Sequence, residues 1–214
     1  MKPFLFTLVL SVAALFSGCV APGPDYTAFR EHRPASILVL PPINGTLDMK
    51  ATPAVLSAAV APLAEAGYYV IPVTTMMEVF YRNGMREPEE IQEISPDKLL
   101  EFFGADAALY ISIEKYGTNY KIIDSVVEIT AEALLVDLRT GTPLWENRVK
   151  QSISSTAGNG PLASLIGALV SQIVNTASDK AWPASKQAVN LLINDPKRGV
   201  IAGPRLEALK AERR

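Results

Sequence analysis

Cysteine and histidine each occur once in the 214 residues, as Cys19 and His32, and that scarcity limits the chemistry open to the chain. A single thiol allows neither an intramolecular disulfide nor a cysteine-cluster zinc site. A single imidazole leaves little for metal ligation or proton transfer. His32 stands in "FREHRP", between Arg30, Glu31 and Arg33, a setting that predicts a solvated linker residue. The carboxylates of Asp97, Glu101 and Asp106 are close in sequence. Asp97, however, falls in a predicted first helical turn, where the helix dipole favours a negative charge, so a paired-carboxylate site is not expected. The glycine-rich "GNGP" at 158–161 leads into a proline suited to opening a helix. The sequence contains no G-x-S-x-G, H-E-x-x-H, Walker or G-x-G-x-x-G motif. No catalytic residue, metal ligand or cofactor is expected.

Cys19 is different, because of what surrounds it. Lys2 is the only charge before Asp25, and Phe4 to Phe16 is a run of thirteen mostly apolar residues. A membrane span needs about 20 such residues, so the run fits the hydrophobic region of a secretory signal instead. It ends in the small residues Ser17 and Gly18, directly before the thiol. "LFSGC" resembles the lipobox of bacterial lipoproteins, in which the cysteine receives a diacylglyceryl group and the chain is cleaved before it. The family pattern prefers Leu three residues before the cysteine, where this chain has Phe16. The resemblance implies cleavage between Gly18 and Cys19 and an acylated Cys19 as the first mature residue. Each buried CH₂ contributes about 0.8 kcal/mol, and two or more chains make a stable anchor. Loss of Lys2 takes the formal charge from −2 to −3. Val20 follows the cysteine, and by the proteobacterial sorting rule the absence of Asp there implies the outer membrane, with the domain in the periplasm.

The elements follow from periodicity and punctuation. Residues 1–18 read as signal peptide and 19–34 as lipidated N-terminus and linker, rich in proline. Fully extended, about 15 residues reach at most ~50 Å. "SILVLPP" (36–42) reads as a buried strand. Residues 52–67 read as a helix with Thr52 as N-cap, Pro53 at its start, a kink at Pro62 and a stop at Gly67. "YYVIPV" (68–73) is a second strand, a helix follows to about Asn83, "PDKLLEFFG" is a short helix, and 105–117 is a third strand. This rhythm predicts an α/β layer with crossover helices. Residues 124–154 then predict a long antiparallel hairpin turning at Arg139–Thr142. Val127, Ile129, Ala131, Ala133 and Leu135 lie on its buried face, and Trp145, Val149 and Ile153 alternate on the return strand.

Pro161 to Asp179 carries a continuous apolar stripe: Leu162, Leu165, Ile166, Leu169, Val170, Ile173 and Val174. Ala163, Gly167 and Ala168 lie beside it and would allow close backbone approach, against the chain's own sheet or in a homodimer. Residues 184–193 read as a last helix, closing an α/β domain over 35–195. From Lys197 to Arg214 there are six basic and two acidic residues, a local net of +4. This basic tail, 196–214, reads as a solvated helix or as a contact for anionic lipid, wall polymer or a partner. The whole chain, at −2, does not read as a nucleic-acid binder.

"SILVLPPINGT", "GYYVIPV", "LLEFFGADAALYISIEKYG" and "VDLRTGTPLW", with the lipobox, resemble a family of proteobacterial lipoproteins of unknown function, known from a meningococcal surface-antigen candidate. More remotely they are similar to the curli-secretion lipoprotein and the wall-synthase-activating lipoprotein. The resemblance implies the α/β fold of the Tol-system propeller protein's N-terminal domain. The function implied is a non-enzymatic accessory or assembly component of an envelope secretion or transport system, acting through a protein partner. The alternatives are a regulator docking onto a peptidoglycan-synthesis enzyme and an enzyme with an unrecognised site.

Overall fold

The structure, a computed structural model, describes residues 24–120, 125–154 and 181–212. Six strands form one mixed sheet: β1 (Ser36–Val39), β2 (Ile43–Asn44), β3 (Tyr69–Val70), β4 (Ala107–Tyr120), β5 (Ser125–Asp137) and β6 (Pro143–Ser154). The spatial order is β3-β1-β4-β5-β6, with β2 also on β4. β1 pairs in parallel with β3 and β4, while β4, β5 and β6 pair antiparallel. The mixed α/β sheet with crossover helices is therefore as the sequence predicts. The hairpin at 124–154 is present as β5 and β6, but it is two-thirds of a longer meander. β4 runs antiparallel to β5 from Ala107↔Asp137 to Tyr120↔Ser125, with a register shift between Ile113 and Lys115.

Among the described residues the helices are α1 (Thr27–His32), α2 (Ala51–Glu65), α3 (Val73–Arg82), α4 (Pro88–Gln92), α5 (Pro96–Phe103), α6 (Ala181–Asn194) and α7 (Pro204–Glu212). Local chemistry sets several ends. Pro88 and Pro96 open α4 and α5, where the missing N–H has no helical acceptor. Gly104 closes α5 in the left-handed region at φ 62°. α2 begins at Ala51 rather than after Thr52, and it runs past the buried Pro62 to Glu65, with no break there. The second strand is shorter than expected, Tyr69–Val70, because Pro72 turns the chain into α3. β2 and α4 are additional to the sequence-based elements.

β1 is buried on both faces: Ile37, Leu38, Val39 and Leu40 have no exposed surface. α2 links β1 to β3, and α3–α5 link β3 back across β1 to β4. The two crossovers run in opposite directions along the sheet, and the right-handed rule for such connections assigns their helices to opposite sides of it. α6 packs against α2 and lies over β5 and β6, covering Ala131, Ala133, Trp145 and Val149. On the α3–α5 side, Phe80 and Phe103 meet edge to face at 5.2 Å, and no described helix lies over β5 and β6 on that face.

Two expectations about the ends are corrected. Residues 27–34 are not a free linker. Asp25 accepts the Thr27 N–H at 2.8 Å just before α1, Phe29 is 1% exposed, and the Tyr26 hydroxyl donates to the Gly199 carbonyl at 2.6 Å. An aromatic inside the proline-rich segment has a hydrophobic site to fill, and that outweighs the local composition. The basic tail likewise begins as part of the fold. The Trp145 Nε1–H donates to the Arg198 carbonyl at 2.7 Å, and the Tyr68 hydroxyl to that of Ile201 at 2.6 Å. Of the described helices, only α7 has no buried residue. The stripe at 161–179, with Ala163, Gly167 and Ala168, the turn at "GNGP", and the signal and lipobox residues including Gly18 and Cys19 lie outside the described residues.

Candidate functional site

The titratable residues singled out in the sequence hold the fold together. Asp97 and Glu101 are exposed on α5. Hydrogen bonding by Ser95 at the helix start, above all, holds the Asp97 carboxyl below its ordinary pKa. Asp106 is a staple. Its Oδ2 accepts the N–H of Ala35 and of Ser36 at 3.0 Å and the Ser36 hydroxyl at 2.9 Å. Its Oδ1 accepts from Arg139 at 2.7 Å. Burial pushes this carboxyl up, but these donors together outweigh it and leave the pKa lowered. The starts of β1 and β4 and the β5–β6 turn are thus joined at one carboxylate.

His32 is not a solvated linker residue. Its Nδ1 lies 3.1 Å from Oδ2 of Asp137, whose side chain is 3% exposed. Asp137 Oδ1 accepts the N–H of Arg139 and Thr140 and the Thr140 hydroxyl. Burial pushes Asp137 up as well, and Thr140 and His32 outweigh it, so its pKa is lowered. The one imidazole therefore fastens α1 to the end of β5. Across the sheet face on the α3–α5 side, Arg148 on β6 reaches Glu132 on the adjacent β5 at 2.7 Å and Glu114 on β4, one strand further, at 2.5 Å. A shallow groove of about 430 Å³ runs there, past Tyr110, Ser112, Leu134 and Glu146. Its central cation is already neutralised by carboxylates. Among the described residues no cluster of three or more His, Cys, Asp or Glu could hold a metal.

Among the described residues the most exposed large apolar side chains lie in the loop after β2, "NGTLDMK". Asn44 Oδ1 accepts the N–H and hydroxyl of Thr46 at 3.0 and 2.7 Å, and its Nδ2 donates to the Asp48 carbonyl at 2.9 Å. Asp48 Oδ1 accepts the Lys50 N–H at 2.9 Å. The Gly45 N–H is tied to the Ile113 carbonyl on β4 at 2.9 Å. On this braced backbone Leu47 is 103% exposed and Met49 89%. Large apolar side chains gain about 1.5–3 kcal/mol on full burial. Two of them are held in water here by a dense local hydrogen-bond network. Sequence reasoning passed over this loop. The available signal was Leu and Met at alternate positions inside a turn-forming stretch, where polar residues are the rule.

The loop lies at the end of the sheet away from α1. β1 and β4 both start at the Asp106 staple, beside Arg139 and the His32–Asp137 contact, whereas β2 pairs with Ser112 and Ile113 farther along β4. At about 3.3 Å per residue, the two ends are roughly 20 Å apart or more.

A family model described as "Putative lipoprotein GNA1162-like" matches residues 24–205. The chain belongs to this family. "Putative lipoprotein NMB1124/NMB1162" of Neisseria meningitidis serogroup B is 43% identical over 212 residues, covering 96% of this chain and 97% of the relative. The crystal structure of lipoprotein GNA1162 from Neisseria meningitidis is 44% identical, with a TM-score of 0.56. The match covers 67% of this chain and all of the solved one. A PelC dodecamer from Paraburkholderia phytofirmans matches at 14% identity and a TM-score of 0.48, over 84% of this chain and 96% of that one. Membership makes this a lipoprotein-family α/β domain, and among the described residues no helix is long and apolar enough to cross a membrane.

Proposed function

We propose that this chain is a non-enzymatic outer-membrane lipoprotein, acylated at Cys19, that serves as an accessory or assembly component of an envelope secretion or transport system. The observation that carries the reading is the braced loop with Leu47 and Met49 in solvent, at the end of the domain opposite the anchored N-terminus. Two large apolar side chains held in solvent suit a protein partner in the periplasm. The structural work done by His32, Asp106 and Asp137 supports the non-enzymatic part, because the groups available for acid–base chemistry are engaged in holding strands and turns.

Two measurements test it. Metabolic labelling with a fatty acid should mark the wild-type protein and not Cys19→Ser, and an unlabelled wild type defeats the anchor. Leu47→Ser combined with Met49→Ser should leave the melting temperature unchanged while a protein that co-purifies with the wild type from detergent-solubilised membranes is lost. An identical set of co-purifying proteins would remove the loop from the reading.

A further inference from the structure

The chain has five methionines, and their surroundings differ. Met1 stands in the predicted signal segment. Met76 on α3 is 1% exposed in the core, and Met77 and Met85 pack half-buried against it. Met49 is 89% exposed. A thioether has no proton to lose, so, unlike a thiol, its reactivity is set by access to the sulfur and not by a pKa. Among the described residues Met49 therefore presents the sulfur most open to an oxidant. The backbone around it is fixed on both sides. The Asp48 carbonyl accepts the Asn44 Nδ2–H at 2.9 Å and the Ala51 N–H at 3.1 Å. Asp48 Oδ1 accepts the Lys50 N–H at 2.9 Å, and the Gly45 N–H holds the loop to β4 through the Ile113 carbonyl. None of these bonds uses the Met49 side chain, so its chemistry can change while the loop and the fold stay as they are. Leu47, two positions away, is the other exposed apolar side chain of the loop. One half of the apolar pair is thus a thioether.

We infer that Met49 is an oxidation site through which peroxide controls the docking loop: the thioether form presents the apolar pair, and the sulfoxide form withdraws it. The inference rests on the docking role proposed above for Leu47 and Met49. In the oxidation a sulfur lone pair attacks one oxygen of hydrogen peroxide. The S–O bond forms as the O–O bond breaks, and the departing hydroxide takes the proton of the transferred oxygen and leaves as water. The methionine loses two electrons and the peroxide gains them, with no protein base required. An apolar side chain becomes a polar one, and burying the new oxygen against a partner without a donor is unfavourable. Methionine sulfoxide reductases reverse the change: two thiols supply two electrons and two protons, water is released and a disulfide forms. The periplasm proposed above for the domain is an oxidising compartment.

The test treats the full lipidated protein in detergent with hydrogen peroxide and follows it by peptide mass mapping. Met49 should take the first oxygen, and Met76, which reacts only on local opening, should lag by about tenfold or more. Protein oxidised at Met49 alone should keep the wild-type melting temperature but lose the protein that co-purifies from detergent-solubilised membranes. Treatment with both epimer-specific reductases should restore that capture. Met49→Gln, polar and close in length, should reproduce the loss without peroxide. Met77→Leu with Met85→Leu should respond to peroxide as the wild type does. Oxidation at Met49 no faster than at Met76 overturns the inference. So does full capture by the Met49 sulfoxide form where Leu47→Ser with Met49→Ser abolishes capture, and the docking role then stands without the switch. If that double variant still captures the wild-type set, the docking role itself has failed, and the switch falls with it.

Discussion

Trp145, Asp106 and Asp137 show how single residues set stability here. Trp145 is 4% exposed under α6, and its indole N–H is paired with the Arg198 carbonyl. Trp145→Ala should cost about 3–5 kcal/mol, the range for large aromatic truncations in cores. A chemical denaturation midpoint unchanged from wild type would contradict this burial. Asp106 and Asp137 both titrate below their ordinary range because backbone amides, hydroxyls, Arg139 and His32 favour the ionised form more than burial opposes it. The unfolded chain then binds protons that the folded chain does not, so stability rises with pH. Their contribution is fully present above about pH 4, the unfolded carboxylate value, and is lost as pH falls through their lower folded values. Urea midpoints should therefore drop steeply below pH 4 in the wild type. Asp106→Asn with Asp137→Asn should be weaker at pH 7 and flatter with pH. A wild-type slope as shallow as that of the double variant would mean these carboxylates are not the acid-sensitive groups.

At the scale of elements, Gly67 and Gly203 decide how the C-terminal segment crosses the α2–β3 turn. Gly67 has φ +97°, and a Cβ there would stand 2.6 Å from Leu206 Cβ. A Cβ on Gly203 would stand 2.7 Å from the Gly67 carbonyl carbon and oxygen. The two backbones touch, with the Gly203 N–H donating to Ala66 at 2.7 Å. Gly67→Ala should cost about 1–3 kcal/mol through strain and clash and should loosen α7, read as faster tryptic cleavage at Arg205 and Lys210. Cleavage at the wild-type rate would mean the crossing gives way elsewhere. The sequence shows Gly67 as a stop after α2 but not its second use, because nothing local marks a backbone crossing 136 positions away. The same division applies throughout the fold. Alternation exposed β5 and β6 and their turn, since one face of each is buried, and proline and glycine marked α5 at both ends. The parallel order of β3, β1 and β4 comes from long-range contacts that have no local periodicity. The loop at Leu47 and Met49 was missed because an exposed apolar residue in a loop looks, in sequence, like the start of the next element.

On the scale of the whole molecule, the two chain ends are parts of one structure. α1 contributes Phe29, which stacks near Tyr68 at a ring distance of 6.4 Å, and Tyr68 in turn reaches Ile201. Residues on both sides of the expected 35–195 boundary are thus joined in a single aromatic and backbone cluster, and the match to the family model over 24–205 spans the same extent. We propose that the folding unit runs from about Tyr26 to Leu206. A fragment trimmed to 35–195 loses the Phe29 side chain, worth about 3–5 kcal/mol, and with it the hydrogen bonds of Tyr26, Tyr68 and Trp145 to the C-terminal segment. Each lost bond costs about 0.5–1.5 kcal/mol. Against a total of about 5–15 kcal/mol for a typical domain, that deficit removes most of the margin. The fragment 35–195 should therefore be largely unfolded or aggregated at 37 °C, under conditions where a soluble chain from Ala21 to Arg214 melts cooperatively. Circular dichroism melts of the two proteins at equal concentration decide it. A fragment that melts within a few degrees of the longer chain would return α1 and residues 196–206 to the role of appendages.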